Sequence, residues 1–173
     1  MSGLHKEINF EVEICDHLAA NGWLYAANDA AGYDRARTLF PADVLAWVQD
    51  TQPKAWEALQ KNHGAQAADV LLGRLRDSLN QRGTLDVLRH GIELLGLRQP
   101  LMLAQFKPAL AMNPDILVKY AANRLRVVRQ LRYSLHNENA LDLGLFLNGI
   151  PVATAELKTN FTQSVEDAVD QYR

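Results

Sequence analysis

The sequence predicts an α/β fold: a mixed β-sheet core flanked by helices and interrupted by a helical insertion. Three observations predict it. β-like runs cluster between residues 125 and 158, with an Asn148-Gly149 turn between the last two. Amphipathic helical patterns stand at both ends of the chain. Between them, residues 30 to 100 carry four short helical patterns in a row.

Each element has its own local reason. In residues 5–21, Ile8, Val12, Cys15 and Ala19 recur at helical spacing, with Ile14 and Leu18 beside them and Asn21-Gly22 as a stop. "PADVLAWVQDT" and "PKAWEALQKN" open with Pro41 and Pro53, suited to a first helical turn. "AADVLLGRLRDSLNQRG" stops at Gly83, and "TLDVLRHGIELLG" takes Thr84 as its N-cap. Trp47 and Trp56 are expected to pack these helices together. "LMLAQF" reads as a short strand. "NPDILVKYAANR" reads as a helix with Asn113 as N-cap and Pro114 at its first position. Strands follow at 125–134, 141–148 and 151–158. "TQSVEDAVDQYR" then reads as a helix capped by Thr162 or Ser164. The chain stops inside that helix, so a fragment of a longer protein is expected.

A length of 173 residues suits one domain, 1–173, with its core from 1–31 and 99–173 and the insertion over about 32–98. At 48% hydrophobic and 22% charged, the chain can bury a core. A net charge of -2 argues against a general nucleic-acid coat, though not against a local basic patch. Cys15 is the only cysteine, which excludes an intramolecular disulfide and fits a reducing compartment. No apolar run reaches the roughly 18 residues of a membrane helix, and no signal pattern opens the chain. A cytoplasmic protein with no membrane association is expected.

The stretch "LDLGLFLNGIPVATAELKTN" carries charges where a buried hairpin favours apolar side chains. Strand residues alternate faces. Leu141, Leu143, Leu145 and Leu147 share one, while Val152, Thr154, Glu156 and Lys158 share one on the next strand. Glu156 and Lys158 thus emerge side by side, about 7 Å apart along the strand. A plain two-residue turn pairs Asp142 with Ala155 and sends it away from Glu156. An odd-length loop or one bulge pairs 142 with 156, and stacks the leucines on Ala153, Ala155 and Leu157. The leucine face favours the second register.

Two carboxylates in that register repel, and a divalent cation offsets the repulsion. Mg²⁺ takes one or two carboxylates, a carbonyl and waters, leaving room for a phosphate. A neighbouring lysine can position water or stabilise charge on the phosphate. The alternative is an ordinary surface pair at a strand end. Glu11 adds a third acid. At 100° per residue from Ile8 it falls at about 300°, between Leu18 and Cys15 on the apolar stripe. It needs a partner or a metal there, and a salt bridge to an arginine such as Arg126 is the other reading. Lys119, Arg124, Arg126, Arg129 and Arg132 form a run without acids between them. They read either as DNA-backbone contacts or as a solvated strand edge. The five histidines have no ligand spacing, so zinc is not expected.

"LDLGLFLNGIPVATAELK" followed by "VEDAVDQYR" resembles the N-terminal nuclease domain of the R subunit of type I restriction enzymes, a PD-(D/E)xK nuclease. "GYDRARTLFPADVLAWVQDTQP", "RGTLDVLRHG", "LAQFKPA" and "YAANRLRVVRQLRYSLHNENALDL" extend the likeness over nearly the whole chain. The resemblance implies a restriction-endonuclease-like core and Mg²⁺-dependent hydrolysis of duplex DNA, with Mn²⁺ as a substitute ion. It makes Asp142 the first motif acid, although Leu141 stands where the motif has proline. Glu156 and Lys158 become the ExK pair, and Glu11 the acid of the first helix. Gln171 becomes the glutamine of a QxxxY motif whose tyrosine would lie past residue 173. Asp142, Glu156 and the Leu157 carbonyl would hold the metal, and Lys158 would position water. Modification and specificity subunits would be partners. ATP would belong to a motor outside this chain, which has no G-x4-G-K-[ST]. The rival is a non-catalytic module that docks DNA or subunits.

Overall fold

A computed structural model describes residues 3–110 and 112–157. The expected helix at 162–173, and with it Lys158 and Gln171, lies outside the described residues. Helix α1 runs Gly3–Ala20, α2 Pro41–Thr51, α3 Pro53–His63, α4 Ala67–Arg82, α5 Thr84–His90 and α6 Pro114–Ala121. Strands β1 (Leu125–Arg132), β2 (Ala140–Leu147) and β3 (Ile150–Ala155) form one antiparallel sheet in the order β1-β2-β3. Leu24 adds a single parallel bridge to Arg126 on the outer side of β1, which makes the sheet mixed. The α/β fold expected from the sequence is therefore the fold observed.

The helix signals act where the residue chemistry requires. Pro41 and Pro53 sit in the first turns of α2 and α3. The Asn113 side chain accepts from the Asp115 N–H at 3.0 Å, capping α6 behind Pro114. Chain reversal after α1 uses Gly22 at φ 89°, with Trp23 N–H donating to the Leu18 carbonyl. Three expectations are corrected. Thr84 is not an N-cap but the first helical residue, with Gly83 in the cap position. Helix α5 ends at His90, because Gly91 adopts φ 69° and a Cβ there would overlap the Leu101 carbonyl. "LMLAQF" is not a strand. Its ladder shrinks to one bridge between Ile92 and Leu101, while Leu103 and Ala104 are buried by packing.

Three apolar clusters hold the sheet. The largest lies among α2 to α5 and includes Trp47, Val48, Leu59, Leu71 and Leu75 together with Leu101, Leu103 and Ile150. Trp56 packs against it, and the Trp47 indole N–H donates to the Met102 carbonyl at 2.9 Å. One sheet face meets α1: Cys15, Val127 and Leu143 are buried there, with Ile14, Leu18 and Leu145 beside them. Ile8, expected on that stripe, is instead 39% exposed. The opposite face carries Phe40, Val128, Leu131 and Phe146, with Tyr33 and Leu141 packed against them. Phe40 and Phe146 meet edge to face, centroids 4.7 Å apart.

The β2–β3 hairpin is anchored at its tip. Asn148 (φ 50°) and Gly149 (φ 81°) form the two-residue turn with both residues left-handed, as the right-handed strand twist favours. Asn148 is fully buried. Its Oδ1 accepts from the Arg124 N–H at 2.7 Å, and its Nδ2 donates to Leu103 O at 2.8 Å and Asn123 Oδ1 at 3.0 Å. Gly149 O accepts from the Phe40 N–H at the start of α2, and no Cβ fits at 149. With the tip fixed in the helical layer, the charged end of the hairpin is held at the far side.

Candidate functional site

The register at that end depends on one bulge. Leu147 pairs with Ile150 and Phe146 with Pro151, as a two-residue turn requires. Then Leu145 pairs with Ala153, skipping Val152, and Leu143 pairs with Ala155. There the ladder stops: β3 ends at Ala155, short of the 158 expected, so Glu156 lies just past the strand, one step beyond the Leu143–Ala155 pair. The expected bulge is thus present, but the shared leucine face is corrected: Leu143 and Leu145 lie on the α1 side, whereas Leu141, paired with Leu131, packs on the Phe40 side. Without the bulge, Leu143 and Leu145 would face the α1 side against the wrong residues of β3.

Asp142 reaches the end of β3 directly. Its Oδ2 accepts from the Leu157 N–H at 2.6 Å, so the carboxylate sits beside the 156–157 peptide. Its Oδ1 lies 3.4 Å from Gln130 Nε2, a long contact. Glu156 is half-buried. Glu11, on α1, is only 3% exposed. Its Oε2 accepts from Arg129 Nε at 3.1 Å and Nη2 at 3.0 Å, and its Oε1 accepts from Gln130 Nε2 at 3.0 Å. The salt bridge considered for Glu11 therefore exists, but with Arg129 instead of Arg126. A chain of hydrogen bonds runs Arg129, Glu11, Gln130, Asp142, Leu157, and it crosses α1 and all three strand paths.

The basic run is largely engaged within the molecule. Arg124 and Arg126 both donate to Asp43, which is 1% exposed, and Arg126 also pairs with Asp29. The Arg126 guanidinium lies 5.2 Å above the Phe40 ring. Burial alone raises the Asp43 carboxyl. Hydrogen bonds and charge from Arg126, then Arg124, outweigh burial and hold it below the usual carboxylate range. Hydrogen bonding to Asp43 is likewise the main reason the Arg126 pKa lies higher. Arg132 pairs with Glu138 on the surface, where both side chains are exposed. Lys119 is exposed on α6.

A cation is expected here, and carboxylate oxygens are the donors a hard divalent ion takes. Among the described residues no three His, Cys, Asp or Glu side chains form a ligand group. A Mg²⁺ site needs fewer, since one or two carboxylates with a carbonyl and waters suffice. Asp142 suits that pattern: among the described residues each of its oxygens accepts one hydrogen bond, which leaves it a further lone pair. The N–H that donates to Asp142 belongs to the 156–157 peptide, whereas the Leu157 carbonyl of the expected ligand set belongs to the next peptide, toward Lys158. Sequence reasoning missed Gln130 and the role of Arg129. A signal was available in "RVVRQLR", where Val127, Val128 and Leu131 break strand alternation at residues 129 and 130.

No helix among the described residues is long and apolar enough to cross a membrane. No curated protein and no solved structure matches the chain. A family model, that of the type I restriction enzyme R protein N terminus, matches residues 14–173. Glu11 stands just before the matched span; Asp142, Glu156, Lys158 and Gln171 stand within it.

Proposed function

The chain belongs to the family of type I restriction enzyme R protein N termini, and on that premise we propose that it is a Mg²⁺-dependent endonuclease domain hydrolysing duplex DNA. The observation that carries the reading is the bulged register. It pairs Leu143 with Ala155, the last residue of β3, and the Asp142 carboxylate next to that pair accepts from the Leu157 N–H at 2.6 Å. Asp142 and Glu156 would hold the cation, with Mn²⁺ able to replace Mg²⁺, and the Leu157 carbonyl would complete the protein's share. When bound, the ion supplies Lewis-acid polarisation of a phosphate oxygen and a more acidic water.

The chain's own residues do the remaining work. Lys158 would orient the attacking water and stabilise charge gathering on the phosphate. Gln171 would orient Lys158 or the DNA. Glu11 keeps its ion pair with Arg129 and supports the site from α1, at one remove from the cation. Of the basic run, Arg132 and Lys119 would meet DNA phosphates first. Arg132 is in a surface pair of little worth, easily exchanged for a phosphate, whereas Arg124, Arg126 and Arg129 are in part-buried ion pairs. The partners in this reading are duplex DNA and the modification and specificity subunits. ATP would serve a motor outside this chain.

Calorimetric titration with Mn²⁺ tests the site. The parent chain should bind one class of ion, and Glu156→Ala should lose that binding at an unchanged melting temperature. Equal binding by variant and parent would remove the metal site. In the complete enzyme, Lys158→Ala should lower cleavage at least about a hundredfold while cation binding persists.

A further inference from the structure

We propose that Gln130 is a positioning residue for the cation-binding carboxylates, its amide linking Glu11 to Asp142 and fixing the rotation of the Asp142 carboxylate. This rests on the metal-dependent reading above and goes beyond it, because no motif of the chain singles out position 130.

The backbone explains how the side chain gets there. Gln130 has φ 49° inside β1, a left-handed conformation that costs a non-glycine residue about 1 kcal/mol or more. Pairing runs Arg129 with Leu143 and Leu131 with Leu141, and the 130–142 pair between them is skipped. In a regular strand, residues 129 and 130 would point to opposite faces. Here both reach the same Glu11 carboxylate on the α1 side. The next residue, Leu131, joins Val128 on the opposite face. The twist in the strand thus delivers the amide to the carboxylates without disturbing either apolar cluster.

The choice of an amide has a chemical reason. A glutamine amide has two N–H donors and no charge. One reaches Glu11 Oε1 at 3.0 Å and the other Asp142 Oδ1 at 3.4 Å. The charge of Glu11 is matched by Arg129. Among the described residues Asp142 receives only neutral donors, Gln130 Nε2 and the Leu157 N–H, which orient it without setting a positive charge beside it. An arginine at 130 would orient the carboxylate equally well and neutralise it. With Oδ2 held by the Leu157 N–H at 2.6 Å and Oδ1 steered by the longer Gln130 contact, Asp142 presents its remaining lone pairs in a preferred direction, and a cation pays less to order it.

The test uses Gln130→Gly, which removes the amide while suiting the left-handed backbone. Mn²⁺ affinity should fall about tenfold, the scale of losing an outer partner of a metal ligand, with no fall in melting temperature. In the complete enzyme the half-saturating Mn²⁺ concentration for cleavage should rise by a similar factor, while cleavage at saturating Mn²⁺ changes little. Gln130→Asn provides the second variant. Asparagine tolerates the same backbone but is one methylene too short to span both acids, so affinity should again drop. Parent-like Mn²⁺ affinity in either folded variant overturns the positioning role and leaves the metal site standing, provided Glu156→Ala still abolishes binding. Failure of the parent chain to bind Mn²⁺ removes both.

Discussion

Replacing Asp43 by alanine leaves the Arg126 guanidinium, 15% exposed, with only Asp29 beside it. Loss of one partner of a buried pair costs about 3–5 kcal/mol, so Asp43→Ala should show a large fall in denaturant midpoint. The same group sets an acid dependence. Its folded pKa is depressed, so its stabilisation is full above the unfolded value, about 3.9, and is lost as pH falls through the folded pKa. Asp43→Asn should flatten the pH dependence of stability in that acid window and nowhere above it; an unchanged slope contradicts the assignment. Cys15 gives a second check at this scale. Burial pushes its thiol up to about 11 against the opposing pull of Arg129. Alkylation at pH 8 should therefore be slow in the native chain and fast after unfolding, whereas rapid native labelling would contradict its burial. Residue identities in the sequence announced that Glu11 needed a partner. They did not announce which, because Arg129 is 118 positions away and only the strand twist at Gln130 brings it round.

The hairpin shows most clearly what an element's pattern can disclose. Alternating leucines on β2 and an Asn-Gly turn demanded one extra residue on β3, and Val152 is that residue. This makes register a testable property of the element. Deleting Val152 removes the bulge yet keeps Leu143 opposite Ala155 and Glu156 one step beyond, so Mn²⁺ binding should persist. Inserting one alanine between Ala153 and Thr154 moves Glu156 by a step, to the other face, and binding should vanish. Equal behaviour of the two variants would contradict the register argument. Gly149→Ala tests the anchored tip. It forces a side chain into φ 81° against the Phe40 carbonyl and the Val44 side chain, and should cost about 1–3 kcal/mol or more. Other elements were less legible. Leu101 and Leu103 are apolar because a loop is buried against α2 to α5, and a short apolar run looks the same in either case. The helical pattern after Thr84 ran past its true end, since the need for glycine at 91 comes from Leu101 across the loop.

At the scale of the molecule, a helical layer holds the hairpin tip, α1 covers one sheet face, and at the open end of the hairpin Gln130 links Glu11 to Asp142. Charge pattern alone suggested that the arginines of β1 and its approach reach outward. Three of them instead tie the sheet to α1, α2 and the 3-10 turn at Asp29–Gly32, because Asp43, Asp29 and Glu11 come from distant parts of the chain. Removing the Arg132 charge should therefore weaken duplex DNA binding and reduce its salt dependence with little loss of stability. Removing the Arg126 charge should chiefly destabilise the fold. Location of the cation itself is the most direct measurement. In a Mn²⁺-soaked crystal, anomalous scattering should show an ion about 2.0–2.3 Å from carboxylate oxygens of both Asp142 and Glu156. An ion bound elsewhere on the chain, touching neither side chain, would contradict the account.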